Sequence, residues 1–217
     1  MSLDFSAMRR SFLPLIPEIS QCADLLSNAV DAVLRGNDAD ARALLKQADM
    51  PALRIYTERV IGKIDPAIHL QSSNPVFDRE ILGKSDKRMP SRKAEHEVYV
   101  RDGWRCRYCG SRVVAREARA RLNKLFPVEA RWARANAGRH SGLFTLSVSL
   151  DHILPHSRGG SNLPDNLVTA CTPCQFGRNQ WTLEEVGFAH PRLTEPLVND
   201  WDGLLRIIGH EKRTTPP

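Results

Sequence analysis

Two pairs of cysteines constrain the fold of this chain more than any other feature of its sequence. Cys106 and Cys109 enclose Arg-Tyr, and Cys171 and Cys174 enclose Thr-Pro. Each two-residue spacer allows a tight turn that points both sulfur atoms at one ion. Four thiolates, each about 2.3 Å from the metal, are a common ligand set for structural Zn²⁺. We therefore predict that these four cysteines bind one zinc ion and tie two distant segments together.

The composition favours a folded protein and excludes several classes. Of the 217 residues, 41% are hydrophobic and 26% are charged, so disorder along the whole chain is excluded. No apolar run is long enough to cross a membrane, and the N-terminus lacks the order of a signal peptide. We expect a cytoplasmic protein with no membrane partner, where disulfides are the weaker explanation for paired cysteines. The oligomeric state stays open.

The net charge of +6 is concentrated in one segment. Residues 1–90 carry 12 basic and 12 acidic residues, whereas residues 91–140 carry 13 basic and 5 acidic residues. Such a block suits the phosphate backbone of a nucleic acid. An arginine-rich helix face exposed to solvent is the alternative explanation at this point.

The pattern of apolar residues divides the chain into four parts. Apolar residues recur at helical spacing before residue 65, and Cys22 lies among them as an expected buried side chain. The alternation at residues 143–150 predicts a strand. The expected parts are a small all-α domain at 1–65, a linker at 66–90, a second domain at 91–185 with a basic insertion at 112–140, and a C-terminal extension at 186–217.

The residues best suited to catalysis lie between Ser149 and Gln180. Asp151 and His152 stand side by side at the end of the predicted strand, and a loop rich in proline and glycine follows. Aspartate is a hard oxygen ligand for Mg²⁺ or Mn²⁺, and histidine can act as a general base near neutral pH. A metal-bound phosphate beside a water activated by histidine is an arrangement for phosphodiester hydrolysis.

The order of these motifs resembles the zinc-containing HNH endonucleases, also called ββα-metal nucleases. The shared elements are the two Cys-x-x-Cys pairs, Asp151-His152 with the Gly159-Gly160 turn, and Asn166-Leu167. The resemblance covers residues 91–180, which is under half of the chain. It implies an α+β fold, in which a zinc-stabilised ββα-metal nuclease domain accompanies the small all-α N-terminal domain. The implied activity is metal-dependent hydrolysis of phosphodiester bonds, with double-stranded DNA as the partner.

The resemblance also implies a role for individual residues. His152 would be the general base that activates water, and Asp151 would bind a catalytic Mg²⁺ or Mn²⁺ ion. Asn166 would orient the loop of His152 by hydrogen bonds. The four cysteines would hold the structural zinc and take no part in the reaction.

One position departs from the family pattern. Gln175 follows the last cysteine, where the family usually has asparagine or histidine as the second metal ligand. Three outcomes are open: Gln175 binds the metal, Asn179 on the same helix face replaces it, or the metal binds weakly and cleavage is impaired. We predict a working site formed by Asp151 with Gln175 or Asn179.

Several arginines are candidates for contact with nucleic acid. The basic insertion contains three of them at helical spacing, and Arg158 lies in the glycine-rich loop. Arg178 occupies a position where the family often has lysine; it either clamps the scissile phosphate or lies on a helix surface. The predicted contacts are Arg112, Arg116, Arg119, Arg158 and Arg178.

Two other functions are compatible with parts of the sequence. A zinc-knuckle protein that binds nucleic acid without cleaving it would keep the cysteines and the basic segment, and Gln175 favours this alternative. The intact Asp151-His152 pair favours the nuclease. A redox role for the cysteine pairs is a third possibility, which stoichiometric zinc would exclude.

Overall fold

The computed structural model describes residues 8–61 and 89–209. These ranges contain seven α-helices and two β-strands, and none of the helices is long and apolar enough to span a bilayer. The helices are α1 (Pro17–Leu34), α2 (Asp38–Ala48), α3 (Pro51–Ile61), α4 (Arg92–Arg101), α5 (Arg116–Leu125), α6 (Ser141–Thr145) and α7 (Thr172–Arg178). The strands are β1 (Val148–His152) and β2 (Leu167–Cys171).

The first two helices form a hairpin. Gly36 adopts φ +77° at the turn, a conformation that residues with a Cβ rarely adopt. The Asn37 side chain accepts a hydrogen bond of 3.0 Å from the backbone N–H of Asp40 and caps α2. Cys22 lies on the buried face of α1 with no exposed surface, which confirms the prediction that it is a core residue.

The N-terminal helices pack directly against the C-terminal half, and buried apolar side chains from both parts form one hydrophobic cluster. The hydroxyl groups of Thr57 in α3 and Thr145 in α6 lie 2.6 Å apart. Gly142 of α6 approaches the hairpin so closely that a Cβ atom there would lie 2.6 Å from the carbonyl oxygen of Ala48. The predicted linker at 66–90 lies outside the described residues except for its last two positions, so the domain boundary stays a prediction.

A small ββα unit follows. Strands β1 and β2 pair antiparallel, with Val148 opposite Cys171 and His152 opposite Leu167, and α7 begins directly after β2. The strand predicted at 143–150 is wrong in its first half, because helix α6 occupies that segment. The imidazole of His140 caps α6 by accepting a hydrogen bond of 3.1 Å from the Leu143 N–H.

His140 is a structural residue in its neutral form. The ring has no exposed surface, and its Nε2 lies 2.9 Å from the carbonyl oxygen of Leu45. Because Nδ1 accepts a hydrogen bond from Leu143, Nε2 carries the hydrogen and donates it to Leu45. Burial lowers the pKa of His140 below its ordinary value, against the opposing effects of the Leu45 hydrogen bond and Asp49.

We expect His140 to make the protein less stable in acid. In the unfolded chain histidine takes up a proton at about pH 6.5, whereas folded His140 does so only at lower pH. The unfolded state therefore binds more protons in that window, and stability falls by up to about 1.4 kcal/mol for each pH unit lost below pH 6.5. Urea unfolding of the wild type and of His140→Gln between pH 7 and pH 5 measures the free energy of unfolding. This free energy should depend less steeply on pH in the variant than in the wild type. Equal dependence in both proteins would contradict the assignment, since the other histidines contribute to both.

Candidate functional site

The structure brings the four predicted zinc ligands together. The Sγ atoms of Cys106, Cys109, Cys171 and Cys174 all lie within 4.8 Å of one another, and those of Cys109 and Cys171 are 3.7 Å apart. Ideal tetrahedral coordination with Zn–S bonds of about 2.3 Å places the sulfur atoms about 3.8 Å apart. The cluster therefore fits a structural zinc ion.

Local hydrogen bonds shape the first cysteine pair and attach it to the sheet. The backbone N–H of Cys106 donates to the carbonyl of Ser111 (2.8 Å), and Gly110 adopts φ +79° in the turn between them. The backbone N–H of Arg107 donates to the carbonyl of Thr169 in β2 (2.9 Å). The first pair is thus fixed against the strand that carries Cys171.

The thiols of the cluster affect one another's protonation. Hydrogen bonds from the neighbouring thiols hold the pKa of Cys109 well below its ordinary value. The pKa values of Cys171 and Cys174 are raised, first because their thiols hydrogen-bond to the other cysteines and also because they are buried. A zinc ion would supply the positive charge that the remaining thiolates need.

His152 lies at the end of β1 beside a cavity of about 510 Å³. Its Nε2 is 2.8 Å from the side-chain oxygen of Asn162, so Nε2 carries the hydrogen and Nδ1 keeps its lone pair. The ring of His156 stands edge-on, with its centroid 5.7 Å away. Burial lowers the pKa of His152, and this effect outweighs the opposing effects of Asn162 and Asp151. The ring is therefore neutral at pH 7.

The structure places Asn166 where it can hold the loop that follows His152. Its side-chain oxygen accepts a hydrogen bond from the Leu154 N–H (2.8 Å), and its amide nitrogen donates to the carbonyls of Leu154 (3.0 Å) and Ser161 (2.9 Å). Gly160 permits this approach, since a Cβ atom there would lie 2.8 Å from the Asn166 amide nitrogen.

Asp151 is held by an ion pair inside the protein. Nε of Arg178 donates to Oδ2 of Asp151 (2.6 Å), and a terminal nitrogen of the same guanidinium donates to Oδ1 (2.8 Å). The hydroxyl of Tyr108 also donates to Oδ2 (2.8 Å). Burial by itself would lower the pKa of Arg178, but the hydrogen bond to Asp151 and the charge of that carboxylate raise it above the ordinary value.

This placement corrects the predicted role of Arg178 as a phosphate clamp. The side chain has no exposed surface, because its remaining donors point inward. They reach the carbonyl oxygens of Trp181 (2.7 Å), Ile153 (3.3 Å) and His152. A guanidinium enclosed in this way does not reach a bound nucleic acid.

The predicted divalent-metal site has an unfavourable donor set. Gln175 and Asn179 line the same cavity as Asp151, but α7 ends at Arg178, and Asn179 adopts φ +47° instead of continuing the helix face. Among the described residues that line this cavity, Asp151 is the only acid. With that carboxylate paired to Arg178 and the two amides uncharged, the residues present do not fit Mg²⁺ or Mn²⁺.

Comparison of the sequence with known protein families points to the same segment. The model of one protein family, described as HNH endonuclease, matches residues 144–186. This segment is of the HNH endonuclease family. The match includes Asp151, His152, Asn166 and the second cysteine pair, whereas the first pair lies outside it. Neither the curated proteins nor the solved structures gave a match to the chain.

Most of the arginines predicted to contact nucleic acid instead contact other residues of the protein, outside the cavity beside His152. Arg112 pairs with Asp24 of α1 (2.6 Å). The guanidinium of Arg119 stacks 3.8 Å from the centroid of the Trp132 ring, and burial lowers the pKa of Arg119 to about 10.

The other two arginines differ in exposure. Arg158 donates hydrogen bonds to the carboxylate of Glu185 at 2.9 and 3.0 Å. Arg116 is 44% exposed and lies 3.9 Å from Glu95. Of these four arginines, only Arg116 keeps a largely open side chain.

Two residues of the HNH site were missed by sequence reasoning. Asn162, which binds His152, follows Gly-Gly-Ser and looks like an ordinary loop residue. Tyr108, which binds Asp151, lies between two zinc-type cysteines and is 43 positions away in the chain. No sequence signal marks either one, because each role depends on contacts that only the fold creates.

We expect one zinc ion per chain, bound by the cysteine cluster. Cys171→Ser should lose the zinc and unfold at lower temperature, because removing a structural metal site removes folding free energy. Metal analysis by mass spectrometry and thermal unfolding measure the two effects.

Cys22→Ser is the matched control. Cys22 is as buried as the ligands but lies outside the cluster, so this variant should keep its zinc. A wild type without stoichiometric zinc, or a Cys171→Ser variant that retains it, would argue against the assignment.

Proposed function

We propose that the chain is an endonuclease that hydrolyses phosphodiester bonds in double-stranded DNA, with His152 as the general base. The observation that carries the proposal is the state of this imidazole. Nε2 is fixed by Asn162, and no hydrogen bond among the described residues occupies Nδ1. A neutral histidine with a free nitrogen beside a cavity of about 510 Å³ can accept a proton from water.

The reaction then follows from proton transfer and displacement. Nδ1 of His152 takes a proton from a water molecule as its oxygen attacks phosphorus. The bond between phosphorus and the 3′-oxygen breaks, and that oxygen must gain a proton from water or a nearby group. Uncharged donors that line the cavity, namely the amides of Gln175 and Asn179, are positioned to hydrogen-bond phosphate oxygens.

The family resemblance implies a divalent ion as well. Mg²⁺ or Mn²⁺ would supply charge to stabilise the pentavalent phosphate. Since Asp151 is paired with Arg178 and the described residues that line the cavity include no second acid, we assign no step to such an ion.

A second candidate is a protein that binds nucleic acid without cleaving it. The pairing of Asp151 with Arg178 favours this alternative, because it neutralises the residue that the family uses for metal binding. The zinc cluster and an intact fold would be sufficient for such a role. Cleavage that depends on His152 separates the two candidates.

We expect His152→Ala to lower DNA cleavage by about 10²–10⁴-fold, the usual contribution of a general base. Nicking of supercoiled plasmid and cutting of labelled duplexes measure this, with single-stranded DNA and RNA as competing substrates. The reactions are run with added Mg²⁺, with added Mn²⁺ and with no divalent ion added.

His156→Ala is the matched control, because that ring lies in the same cavity 5.7 Å from His152. It should retain more activity than His152→Ala. If the wild type is inert under all conditions yet binds DNA, the endonuclease proposal fails and the binding protein replaces it.

Among the predicted arginine contacts, Arg116 is the one to test first for DNA binding. Arg116→Gln should reduce the slope of log affinity against log salt concentration by about 0.9, the value for one phosphate contact on duplex DNA. Fluorescence anisotropy at several salt concentrations measures the slope, while zinc content and unfolding temperature should match the wild type. An unchanged slope would remove Arg116 from the interface.

A further inference from the structure

The guanidinium of Arg178 occupies the position at which the carboxylate of Asp151 would bind a metal ion. We propose that Arg178 is the resident cation of this site and keeps Mg²⁺ and Mn²⁺ from binding at Asp151. The proposal concerns the same cavity as the proposed function, but it is decided by ion binding and not by cleavage.

The carboxylate of Asp151 has little capacity left for a metal. Oδ2 accepts hydrogen bonds from Arg178 (2.6 Å) and from Tyr108 (2.8 Å), and Oδ1 accepts one from Arg178 (2.8 Å). Three of the four lone pairs of the carboxylate are therefore used. The bidentate edge that a hard cation would approach is covered by the planar guanidinium.

Arg178 is not free to move aside. A guanidinium has five N–H donors, and all five have an acceptor. Nε and one nitrogen bind Asp151, and the other contacts are the carbonyls of His152, Ile153 and Trp181. The guanidinium also lies 5.8 Å from the centroid of the Tyr108 ring. Displacing it would break every one of these contacts in a buried site.

The charge balance of the cavity leads to the same conclusion. Asp151 and Arg178 neutralise each other, and the other potential metal ligands among the described lining residues are amides, hydroxyls and imidazoles. A divalent ion would enter a site without net negative charge and would lie next to a guanidinium. Two positive charges that close together repel each other.

The direct test is a titration of the zinc-loaded protein with Mn²⁺, in which electron paramagnetic resonance measures the free ion. For the wild type, the free Mn²⁺ signal should rise with added ion as it does in buffer, through micromolar concentrations. Binding of one Mn²⁺ at micromolar concentration that disappears in Asp151→Asn would overturn the proposal.

Arg178→Gln tests the reason for the exclusion. Freeing Asp151 and removing the positive charge beside it should raise Mn²⁺ affinity about tenfold or more, because a cation at Asp151 would no longer be repelled by the guanidinium. Adding Asp151→Asn to that variant should abolish the gain. Arg158→Gln is the matched control, because it removes an arginine from a pair with Glu185 and leaves Asp151 covered. A similar gain in Arg158→Gln would contradict the assignment to Asp151.

Zinc content and circular dichroism establish whether Arg178→Gln folds. If neither Arg178→Gln nor Asp151→Asn folds, the wild type still decides the proposal, because one Mn²⁺ bound at micromolar concentration and located at Asp151 by anomalous diffraction would overturn it.

Cleavage assays separate this proposal from the proposed function. Free divalent ions are first removed from the wild type with a chelating resin that leaves its zinc content unchanged. Cleavage that persists after this step supports both the endonuclease and the exclusion of Mg²⁺ and Mn²⁺ from Asp151. Cleavage that requires Mn²⁺ bound at Asp151 overturns only the exclusion of the ion. Absence of cleavage in every condition removes the endonuclease, whereas the Mn²⁺ titration continues to test Arg178.

Discussion

The geometry around His152 depends on the four-cysteine cluster, which joins the segment of Cys106 and Cys109 to the segment of Cys171 and Cys174. Cys109 and Cys171 are 62 positions apart in the chain, yet their sulfur atoms lie 3.7 Å from each other. The two-stranded sheet beside them has only five residue pairs, and a hairpin of that size has little stability by itself. By fixing the end of β2 and the first turn of α7, the cysteine cluster holds the position of the strand that ends in Asp151 and His152.

Within that frame, one arginine changes the chemistry that the motif implies. The HNH segment keeps His152 with a free ring nitrogen, and Asn166 holds the following loop. The acid beside the histidine, however, is neutralised from within by Arg178. The fold thus keeps the histidine that we propose as the general base, whereas the neighbouring carboxylate forms a buried ion pair. Removing either member of such a buried pair alone would leave an unpaired charge, which is strongly destabilising.

The sequence was sufficient for features that are local in the chain. The cysteine spacing predicted a thiol cluster, and the apolar periodicity predicted the N-terminal helices and the burial of Cys22. It failed at residues 143–145, because alternation of apolar residues in a fully buried segment does not distinguish a strand from a short helix capped by His140.

The partners of charged side chains were also beyond the reach of the sequence. An arginine at the end of a helix has the same local pattern whether it faces solvent or, like Arg178, an aspartate 27 positions earlier. The basic segment raised the same difficulty. Arg112 and Arg131 pair with Asp24 and Asp49 of the N-terminal part, so part of the basic surplus stabilises the contact between the two halves.

Anomalous diffraction from crystals grown with Mn²⁺ would show which ions the protein binds and where. We expect a zinc peak centred among the four cysteine sulfur atoms and no manganese peak at Asp151, with Arg178 still bound to both carboxylate oxygens. A manganese peak on Asp151 with Arg178 displaced would contradict this expectation.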